Sequence, residues 1–423
     1  MQRSPLRIIL FVAFVDLAAF GLIIPLQANY ADRLGASGLT FGLLVGIYAL
    51  MQFVFNPILG RWSDRIGRRP VLIASVAGSV ASHALLGVAD LAGSLPLLFV
   101  ARTLDGITGA NVATAQAYIA DVTTSENRAK GMGLFGAAFG FGFVAGPALG
   151  AALAFVGGHI SGERYGTAWP AFGAAAIAAV ALFLVWRFLP ESRKPGVVTE
   201  ERVTLLTFGR VRTAFSHPRL RELFVAVFWA TFAFVLLEVS LVYLCVHRFG
   251  LTEGGTGLLY AYFGVMMIVV QGGLVGRLVR RFGEPRLLAT APFITAAGFV
   301  LISGVPMVSG LGAAWLLLII GCMPTALGHG LTGPNLSALI SRQADSGRQG
   351  VTLGLSQGVG SLARAVAPPV GGYLFDVGPS WPYWVGAVLF VGIGGFAVRV
   401  CSAQERAVQA QRRRDATLTR EPT

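Results

Sequence analysis

A chain of 423 residues that is 55% hydrophobic and only 13% charged has too few ionisable groups to cover a soluble surface of that size. With a mean hydropathy of +0.69, the chain is expected to be a polytopic membrane protein. The formal net charge of +13 would suit nucleic acid. The basic residues, however, gather in short segments between apolar runs, the distribution that holds loops on the cytoplasmic face and attracts anionic headgroups, so no nucleic-acid partner is expected.

The first apolar run follows Arg3 and Arg7 and continues past Asp16 to about Gln27. It imitates a signal peptide at its start, but it is too long and shows no small-residue cleavage site, so it is taken as the first span. Requiring roughly 20 mostly apolar residues per helix, the sequence predicts twelve spans near 6–28, 38–59, 70–89, 95–120, 129–156, 168–189, 220–246, 254–276, 286–308, 310–340, 349–374 and 381–401. An even number puts both termini on one side, and the basic ends place that side in the cytoplasm, with the chain in the cell's inner (plasma) membrane. Arg33, Arg164 and Arg248 fall on the other face, and Arg102 and Arg364 fall inside the membrane.

The longest polar interruption follows the sixth span. It divides the chain into an N-terminal six-helix bundle (1–189), a cytoplasmic linker (190–219), a C-terminal six-helix bundle (220–402) and a tail (403–423). Within the linker, Leu205, Leu206, Phe208, Val211 and Phe215 suit either a short helix lying on the membrane or a plain tether.

Between the second and third spans lies Gly60-Arg61-Trp62-Ser63-Asp64-Arg65-Ile66-Gly67-Arg68-Arg69-Pro70, in which four of the five ionisable residues are arginine. Gly60-to-Gly67 is echoed after the eighth span by Gly276-to-Gly283, with Arg280 where the first copy has Asp64. Two further echoes follow in the same order. Gly106-to-Asn111 matches Gly330-to-Asn335, and Ala145-to-Gly150 matches Ala367-to-Gly372. A two-fold repeat of six helices is the arrangement from which transporters build a midplane cavity with alternating access. The expected fold is therefore all-α, with twelve transmembrane helices in two pseudo-symmetric bundles.

The Gly60–Arg69 stretch resembles the loop motif of the major facilitator superfamily in residue type and spacing. Asp16-to-Pro25, Arg102-to-Gly106 and Gly142-to-Gly150 resemble motifs of its drug:proton antiporter branch. With Tyr118-Ile119-Ala120-Asp121 and Leu189-Pro190-Glu191-Ser192, the first half is most similar to bacterial tetracycline-type exporters. The resemblance implies the major facilitator fold. It also implies a cytoplasmic gate of Gly60, Asp64, Arg65, Gly67, Arg68, Arg69 and Asp121. Asp64 would approach the N-terminal end of the eleventh helix, where the dipole favours an anion, and Arg65, Arg68 or Arg69 would meet Asp121. The chain departs from the tetracycline pattern in the third span, where Ser82-His83 stands in place of an acid, and in the ninth, which has none.

Charge within hydrocarbon is expensive and faces a bundle interior or water. Asp16 is the leading proton-coupling candidate. Burial favours its neutral form and a nearby arginine its charged form, so a contact with Arg102 that depends on conformation would let it take and release a proton. Asp105, one turn after Arg102, is either a tuner of that arginine or a carrier itself. Glu238, deep in the seventh span, is the second-half candidate, suited to binding a proton or a cationic substrate or to a structural hydrogen bond. His329 and His83 suit packing or titration, and Arg364 suits an anionic substrate or a salt bridge to Glu238.

In the fifth span Gly142, Gly146 and Gly150 recur at four-residue spacing, permitting close helix approach, while Pro147 interrupts the hydrogen-bond ladder. Tyr48, Gln52, Asn56, Asn111, Gln116, Phe139, Tyr243, Tyr260, Gln271, Asn335 and Gln357, with His329 and Arg364, are candidates for lining a mostly apolar cavity suited to amphiphilic molecules. Cys245, Cys322 and Cys401 lie in apolar segments without ligand-like spacing, so neither a metal site nor a disulfide framework is expected. No phosphate-binding loop occurs, so no cofactor is expected and energy comes from an ion gradient, here expected to be of protons, or from the substrate's own gradient. The expected protein is a monomeric, non-enzymatic, proton-coupled exporter of small amphiphilic compounds in a lipid bilayer. The alternatives left open are an importer or uniporter of a sugar, metabolite or peptide, and a non-transporting receptor or scaffold.

Overall fold

The computed structural model describes residues 3–109, 112–192, 217–343 and 349–418, which fold into helices and short connections with no strand among them. The first half comprises α1 (Arg3–Arg33), α2 (Gly38–Ile66), α3 (Arg68–Ala92), α4 (Leu95–Thr108), α5 (Val112–Val122), α6 (Ser125–Ser161), the single turn α7 (Glu163–Gly166) and α8 (Trp169–Phe188). The second comprises α9 (Pro218–Phe249), α10 (Glu253–Ile268), a π segment (Val269–Leu274), α11 (Val275–Phe282), α12 (Glu284–Ser303), α13 (Leu311–Gln343), α14 (Gln349–Val377) and α15 (Trp381–Leu418). Each predicted span falls on one helix or on consecutive helical segments. Among the described residues, eight helices are long and apolar enough to cross a membrane. The linker from 193 to 216, with the proposed surface helix, lies outside the described residues. The predicted tail begins as a continuation of α15, which runs to Leu418.

Local chemistry explains the element ends. The Ser37 hydroxyl accepts from the Thr40 amide and caps α2. Proline in the first turn of α4, α8 and α9 uses positions where no amide donor is needed. Gly67 and Gly283 close the two copies of the loop motif with φ of 107° and 79°, each ending one helix and starting the next. A left-handed φ is the reason both copies keep glycine there. The eighth predicted span widens into its π segment at a Gln271-Gly272-Gly273 stretch, a local departure common at functional positions in helices.

Within the first half, α3 packs along α4 and α8, and α1 along α6 and α8; within the second, α12 packs along α13 and α15, and α9 along α14. The halves meet chiefly where α2 lies along α14 and α6 along α10. Two apolar clusters, around Tyr118 and around Tyr30, fill the first half. One larger cluster fills the second and takes in Phe41 from α2. Cys245 and Cys322 are buried free thiols, consistent with packing.

Candidate functional site

The fourth predicted span carries its charges into the bundle. Arg102, 1% exposed, donates from Nη1 to Asp105 Oδ2 at 2.5 Å, one helical turn away. The other Asp105 oxygen accepts from the Ser82 hydroxyl at 3.2 Å and lies 3.4 Å from His83 Nε2. The Arg102 guanidinium also stacks over the Tyr48 ring, 4.2 Å from its centroid. Tyr48 is held in turn by Gln52, whose amide donates to the phenol and to the Gly109 carbonyl, both at 3.2 Å. Asp16, partly buried on α1, lies within electrostatic reach of Tyr48. Arg102 thus pairs with Asp105, and Tyr48 is within electrostatic reach of Arg102, Asp105 and Asp16. The Ser82-His83 dipeptide that replaces an acid of the tetracycline pattern points at Asp105.

Arg364 and Glu238 face each other electrostatically from α14 and α9, and Arg364 also reaches Tyr48 across the two halves. The sequence places Arg364 in a weakened stretch before Pro368-Pro369, yet α14 continues through both prolines to Val377. The Pro368 carbonyl is directed at Gly42 of α2, where a side chain would block it. His329 stacks on Phe234 with centroids 3.7 Å apart and 5° between planes, and its buried Nδ1 has no hydrogen-bond partner.

The remaining cavity candidates separate. Gln116 and Gln357 are exposed, and Asn56 is half-buried with an unpartnered buried Oδ1. Two have their polar groups engaged within the fold. Asn335 is buried and donates to the Leu331 carbonyl of its own helix. Tyr243 lies at the far end of α9 from the loop motif, its hydroxyl donating to the Ala36 and Ser37 carbonyls at 3.4 Å, so it joins the halves there. Tyr260 is buried and donates to the Glu238 carbonyl. Asn111 and the side chains of Phe139 and Gln271 lie outside the described residues.

At the loop motif, Arg68 is the arginine that meets Asp121, at 3.3 Å. It also pairs with Asp64 at 2.6 Å and donates to Ser63. Asp64 is 61% exposed, and the start of the eleventh helix, its expected partner, has its first side chains outside the described residues. α2 and α14 touch tightly at Gly38–Gly46, while a side chain at Gly60 would meet open space. The sequence reading missed the role of Glu191. Its carboxylate accepts from the Arg68 and Arg69 amides at 2.9 and 3.1 Å, capping α3 where the dipole favours an anion. The signal was the acid within Leu189-Pro190-Glu191-Ser192, next to Ser192, which donates to Asp121.

The glycines of the fifth predicted span face α1. A β-carbon at Gly142 would collide with the Phe14 carbonyl, one at Gly146 with the Ala18 carbonyl, and one at Gly150 would stand 3.2 Å from Leu22 Cγ. The stripe therefore seats α6 on the helix that carries Asp16, and the Pro147 carbonyl faces Gly257 of α10 in the other half.

A membrane-embedded bundle of two helical halves around buried charge is the architecture of a secondary transporter. The Major Facilitator Superfamily model matches residues 9–368, and the chain belongs to that superfamily. It is 31% identical over 401 residues to multidrug resistance protein 2 of Bacillus subtilis (strain 168), covering 93% of this chain and 94% of that protein. It is likewise 31% identical over 407 residues to the class C tetracycline resistance protein of Escherichia coli, covering 94% and 96%. Among solved structures, that of the human organic anion transporter MFSD10 (TETRAN) superposes with a TM-score of 0.65 at 25% identity, covering 94% of this chain and 99% of that one.

Proposed function

We propose that this transporter exports small amphiphilic organic compounds in exchange for protons. It has twelve spans, both termini in the cytoplasm of a cell whose inner membrane it occupies, and works as a monomer with no cofactor. The observation that carries this reading is the buried Arg102–Asp105 pair, joined by His83 and covered by Tyr48, which is also within electrostatic reach of Asp16, in a chain similar over its length to multidrug and tetracycline resistance proteins. When Asp105 is protonated, Arg102 loses its partner and swings past Tyr48 toward Asp16. When Asp16 is protonated, Arg102 returns. Each exchange of partner moves α1 against α4, and the glycine stripe of α6 passes that motion to α10.

Glu238 and Arg364 give the second half opposite charges within electrostatic reach of each other, with Arg364 also within reach of Tyr48, so a substrate bound between the halves competes with a proton at Glu238 too. In reconstituted vesicles, adding substrate to the wild type is expected to drive proton movement, read by a trapped pH dye. Asp16→Asn is expected to abolish that movement, by at least about tenfold, while the purified variant keeps its monodisperse profile. Unchanged coupling would overturn the role given to Asp16.

A further inference from the structure

Opposite the loop motif, one carboxylate that the proton-coupling scheme does not use bridges the two halves. Asp376 sits one residue before the end of α14, and its carboxylate accepts from the first two amides of α2, Gly38 N–H at 2.7 Å and Leu39 N–H at 2.9 Å. Those amides have no carbonyl partner within the helix, and the N-terminal dipole favours the negative charge. The contact spans 338 positions of sequence and joins one half to the other.

The seam beneath it has no room for side chains. A β-carbon at Gly38 would stand 2.6 Å from the Gly372 carbonyl oxygen, one at Gly372 would overlap the Gly38 carbonyl, and one at Gly46 would stand 3.0 Å from the Ala365 oxygen. Phe41 and Tyr243 meet across the seam at 4.9 Å, and His247 of α9 lies 3.2 Å from Asp32 of α1. At the other end of the same helices Asp64, near the end of α2, is exposed.

We propose that Asp376 is a gating residue of the transport cycle, the counterpart of Asp64 on the opposite face of the membrane. Each of α2 and α14 carries an acid near its C-terminus, Asp64 and Asp376, and in this structure Asp376 holds the first amides of α2. Asp376 caps α2 when the Gly38 end is shut, and Asp64 caps α14 when the Gly60–Pro70 end is shut. Only one end is close at a time, and the two acids hold alternate states. The proposal rests on the alternating-access part of the function above and not on the identity of the cargo.

The test places spin-label pairs across the halves in a background lacking Cys245, Cys322 and Cys401, without substrate or gradient. One pair is Leu91 with Leu311 at the Gly38 end and the other Phe188 with Phe282 at the motif end, all four exposed. Asp376→Asn is expected to lengthen the first distance and shorten the second, changing the ratio of the two states by about tenfold. Asp376→Glu keeps the charge and is expected to restore much of the wild-type ratio. Leu39→Pro removes one of the two donors at a first-turn position that accepts proline, and is expected to shift the ratio in the same direction by less. Asp64→Asn is expected to shift it the other way. If Leu39→Pro and whichever Asp376 variant folds both leave the distances unchanged, or if Asp376→Asn moves them as Asp64→Asn does, the proposal is overturned. Failure of drug-driven proton flux with these shifts intact would count against the proposed cargo and leave the gate standing.

Discussion

Arg102 and Asp105 are neighbours on one helix face, so three residues of separation are enough to bring their charges together at 2.5 Å. Burial then makes the pair interdependent. Removing the carboxylate strands a guanidinium that is 1% exposed, and breaking such a buried pair costs about 3–5 kcal/mol. Asp105→Ala is therefore expected to lower the stability of the detergent-solubilised protein by that order, measured by loss of monodispersity on heating, and to stop transport. The double variant Asp105→Ala/Arg102→Met removes the uncompensated charge and is expected to recover most of the stability but none of the transport. The charge pattern made Arg102 and Asp105 visible in the sequence. The positions of His83 and Tyr48 beside them were not, because they reach the pair from α3 and α2.

At the scale of the element, α6 shows how a glycine stripe converts into a constraint on a neighbour. The obstruction at Gly146 is the Ala18 backbone carbonyl rather than a side chain, so no substitution on α1 relieves it. Gly146→Val is expected to reduce flux by at least about tenfold at unchanged expression, with no rescue from Ala18→Gly; flux assays on vesicles of matched protein content check both. Four-residue spacing announced the close approach, but its target did not follow from spacing. Only packing showed that the stripe holds the helix bearing Asp16. The loop motif behaved similarly. Its glycines marked tight turns, and the structure added that Arg68 gathers Asp64, Asp121 and Ser63 while Glu191 caps the next helix.

For the whole molecule, the proposed exchange of substrate for protons across two halves that meet along α2/α14 and α6/α10 makes the direction of transport follow the gradient. Substrate flux is expected to reverse sign when the imposed pH gradient is reversed, to fall to the passive level with a protonophore, and to be indifferent to ATP. Time courses of labelled substrate in vesicles of defined internal pH check this. Flux that ignores the gradient would favour the uniporter reading.

Composition, apolar run length and the echoed motifs determined the helical membrane fold and the two-fold plan, because burying every backbone polar group in hydrocarbon leaves little choice of architecture. The same patterns marked the few intramembrane charges, since each is costly enough to need a reason. Partnership was decided only in three dimensions. Nothing in the spacing of Asp376 and Gly38 announces that one caps the other, or that Tyr243 joins the two halves. Those contacts depend on how far two rigid halves are rotated, and that angle is set by the sum of the packing between them rather than by any local stretch of sequence.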